Sequence, residues 1–409
     1  MRTLQRQALI ALIAIVVSGI YASGAFAEKK YDPGANDTEI KVGNITPYSG
    51  PVSSFAVIGK TEAAYFDKIN AEGGINGRKV KFISYDDAYS PPKTVEQARK
   101  LVEGDEVLLI FNPQGTAQNT AIQKYLNAKK VPQLFVSSGA TKWNDPKAFP
   151  WTMGFIPSYQ SEARIYAQYI LNNLPNAKIA ILYQNDDYGK DYVKGLKDGL
   201  GQKAPFMVVA EEGYETAQPT VDSQIVKLRS SGADVFFNIA TPKFAAQAIK
   251  KVGELGWKPT QFLSSISASL SGVITPAGLE HAQDIISAAY IKDPAGPQWK
   301  DDAGLKAWNE FLDKYYPEAN RTDQTIISAY TTAQALEYVL RSCGDDLTRE
   351  NVMKQAASIK NLELGGLLPG IKVNTSPSDF APLSQMRLMR FKGMTWELFG
   401  DLLSGDVQQ

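Results

Sequence analysis

Apolar and polar positions along the chain follow two alternating patterns. Glu39 to Thr46 alternates apolar and polar residues, as a half-buried strand does, and Val107 to Phe111 is apolar throughout, as a strand buried on both faces is. Helical spacing of apolar residues lies between them, from Ala56 to Ile69, and Gly73 with Gly74 ends that stretch. The repeated order of strand and helix predicts a parallel sheet with helices on both faces.

The same cadence begins a second time after Trp151 to Phe155. Strands are expected at Lys178 to Tyr183 and Phe206 to Glu211, and a terminal hairpin from Gln385 to Phe399 that turns at Lys392 and Gly393. These are too many strands for one sheet of ordinary size. We therefore expect an α/β fold of two doubly wound lobes, each built from discontinuous chain. Ligands of such sheets bind beyond the carboxyl ends of the strands, so two facing lobes create a cleft.

The first 27 residues have the pattern of a secretory signal peptide. Arg2 and Arg6 precede an apolar run from Ala8 to Val17, and Ala25-Phe26-Ala27 supplies the small residues that signal peptidase requires. An uncleaved membrane anchor is the alternative, but polar and glycine residues interrupt the run before it reaches the ~20 apolar residues that span a bilayer. The pattern predicts cleavage after residue 27 and a periplasmic location.

Composition removes several functional classes. Lys plus Arg and Asp plus Glu are both 43, so no net positive field attracts nucleic acid or an anionic membrane. The chain has one His and one Cys, which leaves few side chains for nucleophilic or metal chemistry. The lone Cys343 allows no intramolecular disulfide and is interpreted as a packed thiol.

Motifs typical of enzymes fail on inspection. Gly59-Lys60-Thr61 resembles the end of a phosphate-binding loop but lies inside a helical pattern, and His281 has no nucleophile beside it. The pairs Asp86-Asp87 and Asp186-Asp187 lie at strand ends and are interpreted as helix caps rather than metal ligands. We expect no enzymatic activity, no metal and no cofactor.

Loops of small polar residues at strand ends favour recognition instead. Asn112 to Thr116, Ser137 to Thr141 and Ala240 to Pro242 each lead toward a helix N-terminus, where free N–H groups and hydroxyls suit a carboxylate or another acceptor-rich group. Helix capping is the alternative for any single loop. Aromatic residues near these loops are candidates for apolar walls of a site, namely Phe55, Tyr159 and Tyr188.

Several segments resemble the periplasmic leucine/isoleucine/valine-binding proteins, the type I solute-binding components of ABC importers. They are Ile40-Lys41-Val42-Gly43 with Ser49-Gly50-Pro51, Ile69 to Gly77, Tyr85-Asp86-Asp87-Ala88 and Asp187-Tyr188-Gly189. The resemblance covers nearly the whole chain after the signal. It implies two Rossmann-like lobes joined by three crossover strands, with residues 31–158 and 290–370 in the N-terminal lobe and 159–289 and 371–409 in the C-terminal lobe. It also implies a monomer that delivers a small solute to an ABC permease and ATPase in the inner membrane.

The resemblance also places a ligand site. It puts Phe55, Gln114, Gly115 and Thr116 at the first-lobe wall, and Ser137, Ser138 and Gly139 where the family holds a ligand carboxylate. Tyr159, Tyr188, Ala240 and Thr241 are expected to face them from the second lobe.

One position departs from the amino-acid binders. Ile266 stands where they place an acidic residue against the ligand ammonium, and an ammonium buried without a partner is costly. The sequence therefore favours a carboxylate without an amino group, with an aromatic one as an option. A branched-chain amino acid binder and an amide- or urea-type sensory receptor remain the alternatives.

Overall fold

The computed structural model describes residues 29–405, so the proposed signal peptide lies outside the described residues. A first sheet has five parallel strands in the order β3-β2-β4-β5-β6. Its strands are β2 (Glu39–Thr46), β3 (Lys79–Asp86), β4 (Leu109–Phe111), β5 (Gln133–Val136) and β6 (Thr152–Gly154). A separate two-stranded ladder pairs β1 (Lys30–Tyr31) with β12 (Asp346–Leu347).

A second sheet of seven strands has the order β14-β13-β11-β10-β9-β7-β8. It is parallel from β8 to β11, and β13 and β14 add an antiparallel edge. The strands are β7 (Ile179–Gln184), β8 (Val208–Tyr214), β9 (Val235–Ile239), β10 (Thr260–Leu263), β11 (Ile286–Ala289), β13 (Gln385–Lys392) and β14 (Thr395–Ser404). The expected hairpin at the end of the chain is confirmed.

Helices connect successive strands in both sheets, as the alternating pattern predicts. They are α1 (Ala56–Ala71), α2 (Pro91–Arg99), α3 (Thr116–Lys129), α4 (Tyr159–Asn173), α5 (Asp187–Leu200), α6 (Ala204–Met207), α7 (Asp222–Ser230), α8 (Pro242–Glu254), α9 (Thr275–Ala277), α10 (Ala303–Tyr315), α11 (Gln324–Ser342) and α12 (Arg349–Ala356). Helices α10 and α11 pack on α1, which joins this late part of the chain to the first sheet.

The two sheets form the cores of two lobes, so the expected fold class is confirmed. We call the part built on the first sheet, with α1 to α3 and α10 to α12, the first lobe, and the part built on the second sheet the second lobe. The chain passes between them three times: after β6, after β11 and before β13. The last two passages pair with each other at Ile291 and Leu367. The exact lobe boundaries at 158, 289 and 370 stay a prediction.

Burial explains the strand patterns. Leu109, Ile110 and Phe111 in β4 are fully buried because helices cover both faces of the first sheet.

One expected strand begins too early, since Phe206 lies in α6 and is 83% exposed. Pro205 lies in the first turn of α6, where its fixed φ favours the start of a helix. The apolar residues just before β8 resemble part of that strand, so the sequence pattern placed the start of the strand too early.

Candidate ligand-binding site

A cavity of about 730 Å³, the part open to solvent included, lies between the two lobes. Loops after the carboxyl ends of β2, β4, β5 and β10 line it, as expected for doubly wound sheets. The passages between the lobes and one face of α11 complete the wall. The lining residues are Phe55, Ile58, Asn112, Gln114, Ser137, Ile156, Tyr159, Ser265, Ile266, Ser269, Ala288, Tyr290, Ile291, Gln324, Thr325, Ser328, Ala329 and Thr332.

The lining is neutral. Within the part of the chain that the structure describes, no Asp, Glu, Lys, Arg or His side chain lines this cavity. Its apolar wall comes from both lobes, with Phe55 and Ile58 on one side and Ile266 on the other. Its polar groups are amides and hydroxyls, so the cavity can hold an apolar body and hydrogen-bond a few polar atoms.

Five of the twelve residues expected at the site line this cavity. Ser137 follows β5 directly and is half-buried, and Gln114 lies beside it, in a bridge that links their backbones. The remaining three are aromatic or aliphatic wall residues: Phe55, Tyr159 and Ile266.

Four other expected residues lie next to the cavity but outside its lining. Thr116 and Ser138 hydrogen-bond each other through their hydroxyls at 2.7 Å, and the indole of Trp143 donates to Ser138 Oγ at 2.9 Å. Gly139 lets the chain approach Tyr159, because a Cβ there would lie 2.7 Å from the Tyr159 ring. Gly115 precedes α3 with a φ of +100°, a conformation that favours glycine. These residues shape the first-lobe wall without reaching the cavity.

The last three expected residues join a polar network inside the second lobe. Thr241 Oγ1 donates to Gln184 Oε1 at 3.1 Å, and the Tyr188 hydroxyl lies 3.4 Å from the carbonyl oxygen of Ala240. Tyr188 and Thr241 are both buried, and neither lines the cavity. Their hydrogen bonds hold the loops after β7 and β9 together.

The sequence reading missed the largest contribution, which comes from α11. Its residues at 324, 325, 328, 329 and 332 line the cavity and lie on one face of the helix. A stripe of small and polar residues at this spacing was a usable signal. Nothing local indicated that α11 packs beside the first sheet, because that contact joins residues more than 200 positions apart. Tyr290 and Ile291, in the second passage between the lobes, were missed for the same reason.

Two buried carboxyl groups stand directly behind the wall. Glu62 in α1 accepts hydrogen bonds from Asn44 at 3.1 Å and from the side chain of Asn112. Glu162 in α4 accepts from the backbone N–H and the hydroxyl of Ser265, at 2.8 and 2.6 Å. Burial raises the pKa of both carboxyl groups, and their hydrogen bonds partly oppose that shift. Each carboxyl group therefore orients a lining residue of its own lobe.

A third carboxylate caps α11 at the cavity edge. Asp323 accepts from the N–H of Thr325 at 2.9 Å and from the hydroxyl of Ser269 at 3.1 Å. Since Ser269 belongs to the second lobe, this contact bridges the lobes.

Other contacts also bridge the lobes, among them one at Lys142 and one at Tyr89. Lys142 of the first lobe forms an ion pair of 2.6 Å with Asp187 at the start of α5. Tyr89, in the loop after β3, is 9% exposed, and its hydroxyl lies against the side chain of Gln184. Tyr89 has a φ of +60°, which is uncommon for an aromatic residue, and Gln118 Nε2 donates to its carbonyl oxygen at 2.8 Å. The absent Cβ of Gly115 leaves room for its ring.

This geometry is matched by a known family. The family model described as periplasmic binding protein matches residues 39–395, which include both lobes and all three passages. The chain belongs to the periplasmic binding protein family. The resemblance to leucine/isoleucine/valine-binding proteins is thereby confirmed, and curated relatives carry that name.

Relatives in sequence cover most of this periplasmic binding protein. It is 24% identical over 406 residues to the Leu/Ile/Val-binding protein homolog 7 of Brucella suis, with 94% of each chain covered. It is 27% identical over 307 residues to the leucine-specific-binding protein of Salmonella typhimurium, with 70% of this chain and 79% of the relative covered.

Solved structures confirm the fold. A branched chain amino acid ABC transporter from Thermus thermophilus with bound valine has a TM-score of 0.81 at 15% identity, covering 90% of this chain and 97% of that one. A fatty acid ABC transporter substrate-binding protein from Thermomonospora curvata has a TM-score of 0.78 at 19% identity, covering 92% and 95%. Because these two proteins are named for different ligands, the fold leaves the ligand of this chain open.

Between residues 29 and 405, no helix combines the length and the apolar character needed to cross a bilayer.

Proposed function

We propose that this chain is the solute-binding component of an ABC importer, which captures a small organic solute between its lobes. The cavity carries the proposal, because both lobes line it and a ligand held there contacts both at once. Such a ligand favours the closed arrangement by its differential affinity for it. The role proposed is binding and delivery rather than catalysis, in keeping with relatives that are named as binding proteins.

The proposal includes the setting in which the protein works. We infer that residues 1–27 direct export, that the protein acts as a monomer in the periplasm, and that it delivers its solute to a permease and ATPase complex in the inner membrane. The family and the sequence pattern of the first 27 residues support this setting.

The ligand proposed from the sequence is a carboxylate without an amino group. The absence of an acidic residue from the described lining supports the missing amino group, since a buried ammonium needs a partner. Support for the carboxylate is weaker. Of the three residues expected to hold it, Ser137 lines the cavity, whereas Ser138 and Gly139 do not.

A panel of solutes tests the proposed function. We expect one compound among branched-chain amino acids, aliphatic and aromatic carboxylates, amides and urea to raise the melting temperature of residues 28–409, because a ligand that binds only the folded state stabilises it. Titration calorimetry then gives its affinity. Ser137→Leu places an apolar side chain in the cavity and should weaken binding by at least about tenfold.

Ser378→Leu, at an exposed position outside the cavity, is the matched control and should bind as the wild type does. A panel without any stabilising compound, or equal binding by Ser137→Leu and the wild type, would contradict a solute site in this cavity.

A further inference from the structure

Gln324, the first residue of α11, brings an amide group into the wall of the cavity. The residue lines the cavity and is only 9% exposed. Its Oε1 and Nε2 have no hydrogen-bond partner within residues 29–405, and both atoms keep accessible surface, unlike the enclosed Oε1 of Gln114. A polar side chain buried to this degree normally has a partner, so the free amide indicates a polar group on the ligand.

Thr325 adds a second free group at the same end of the cavity. It also lines the cavity, and its hydroxyl has no partner in the described part of the chain. An amide and a hydroxyl each donate and accept hydrogen bonds, so together they suit a ligand hydroxyl, which does both as well.

The charge next to this end disfavours an ionised ligand group. The carboxylate of Asp323 accepts from the N–H of Thr325 at 2.9 Å, so it opposes a ligand anion beside Gln324. Asp323 itself does not line the cavity, so a ligand ammonium gains no direct partner there. An uncharged polar group is therefore the best match for this end.

The loops after β4 and β5 offer a different chemistry at another part of the cavity. The Oε1 of Gln114 is enclosed, so the Nε2 is the amide atom that remains for a ligand. The hydroxyl of Ser137 lies beside it without a partner among the described residues. Two donors side by side suit an acceptor group, such as the carboxylate proposed above.

An apolar cluster separates these two polar ends. It contains Val52, Phe55, Ile58, Tyr89 and Ala329. The Tyr89 ring fills the space left by the absent Cβ of Gly115, so the cluster reaches the loop after β4. Ala329 lies one turn beyond Thr325, so the cluster also reaches α11. A ligand that meets both ends therefore has an apolar body between two polar groups.

We propose, resting on the solute-binding function above, that the ligand is a carboxylate with an uncharged hydroxyl at the far end of its apolar body. The carboxylate lies at Gln114 and Ser137, and the hydroxyl exchanges hydrogen bonds with Gln324 and Thr325. Gln324 then determines specificity, because a ligand that lacks the hydroxyl removes water from the amide without replacing its hydrogen bonds.

Two matched series of probes test the proposal by titration calorimetry. One consists of hexanoate, 6-hydroxyhexanoate, adipate and 6-aminohexanoate, and the other of benzoate, 4-hydroxybenzoate, terephthalate and 4-(aminomethyl)benzoate. Within each series only the far end of the molecule changes. We expect at least one hydroxylated probe to bind about tenfold or more tightly than the other three members of its series.

Gln324→Met keeps the length of the side chain and removes its hydrogen-bonding atoms. It should weaken binding of the hydroxylated probe by about tenfold and change binding of its parent acid by less than about twofold. Gln334→Met makes the same exchange further along α11, outside the cavity, and should leave both affinities unchanged.

Equal binding of the hydroxylated probe and its parent acid, or tighter binding of a dicarboxylate or an amine, would overturn the uncharged polar end. Equal losses for both probes in Gln324→Met would show that the residue acts only through packing, contrary to the proposal. If none of the eight probes binds, the proposed ligand class falls, while the broader panel decides the solute-binding function separately.

Discussion

Asp323 is a carboxylate at the cavity edge, and its charge distinguishes the competing ligands. It caps α11 and contacts Ser269 at the cavity edge, and Asn at this position retains the capping ability. Asp323→Asn should therefore change the affinity for an uncharged ligand by less than about twofold. It should strengthen binding of a carboxylate by removing repulsion, and weaken binding of an amino acid by removing attraction for the ammonium.

Titration calorimetry of the variant with 4-methylpentanamide, 4-methylpentanoate and leucine measures these effects. Asp301→Asn, at an exposed position before α10, is the control for a general loss of negative charge. A loss of affinity confined to the amino acid would show that Asp323 serves its ammonium group, contrary to a ligand without an amino group.

Sequence analysis placed some of the individual site residues correctly. Gln114 and Ser137 lie in the loops after β4 and β5, so the rule for doubly wound sheets located them. Phe55 was placed by its aromatic side chain and by the family resemblance. The same rule selected Ser138 and Thr116, whose hydroxyls bond each other instead of facing the cavity. Which hydroxyl faces a ligand depends on packing against Trp143 and Tyr159, and no local pattern reports that packing.

At the scale of the elements, helix α1 is hydrogen-bonded to the first sheet through the carboxyl group of Glu62, which titrates. Glu62 of α1 bonds Asn44 of β2 and Asn112 after β4, and its burial raises its pKa well above the usual 4.5. The native state then binds this proton more tightly than the unfolded chain does. Its contribution to stability is present at low pH and is lost as pH rises from about 4.5 through the raised value.

Glu62→Gln removes this titration. The melting temperature of the variant minus that of the wild type should therefore become more positive between pH 5 and pH 8, whatever the offset from altered hydrogen bonding. Thermal unfolding at constant ionic strength measures the difference. Glu72→Gln, at an exposed position just after α1, should show a difference that does not change with pH. A flat difference for Glu62→Gln would show that Glu62 does not titrate in this range.

Element order was the most predictable level of the structure. The expected strand from Glu39 to Thr46 has the bounds of β2, and Asp186 caps α5 through the N–H groups of Tyr188 and Gly189, as its place after a strand suggested. The pairing of β1 with β12 was not foreseen, because two-residue strands have no period to detect.

For the whole molecule, Tyr89 offers a test of how the lobes close. Its hydroxyl meets Gln184 of the second lobe, while its ring packs with Phe55 and Ile58 of the cavity wall. Tyr89→Phe removes only the hydroxyl and should lower the ratio of closed to open molecules by about fivefold, the effect of roughly 1 kcal/mol.

Pulsed electron paramagnetic resonance between spin labels at Lys124→Cys and Lys190→Cys, in a Cys343→Ala background, measures that ratio. It should be recorded without ligand and with the most stabilising compound of the panel. Tyr85→Phe, whose hydroxyl bonds Asp105 within the first lobe, should leave the distances unchanged. Equal ratios in Tyr89→Phe and the wild type would show that this contact does not hold the lobes together.

The antiparallel edge of the second sheet affects the order in which the protein folds. Strand β11 ends at Ala289, but its outer partner β13 begins at Gln385, and the chain between them builds part of the other lobe. At a synthesis rate of roughly 5–20 residues per second, those ~100 residues take about 5 to 20 s to emerge. During that interval β11 is an open edge that another polypeptide can pair with. The second lobe is therefore the last part to be completed, and a chain cut short before residue 385 should be lost to aggregation.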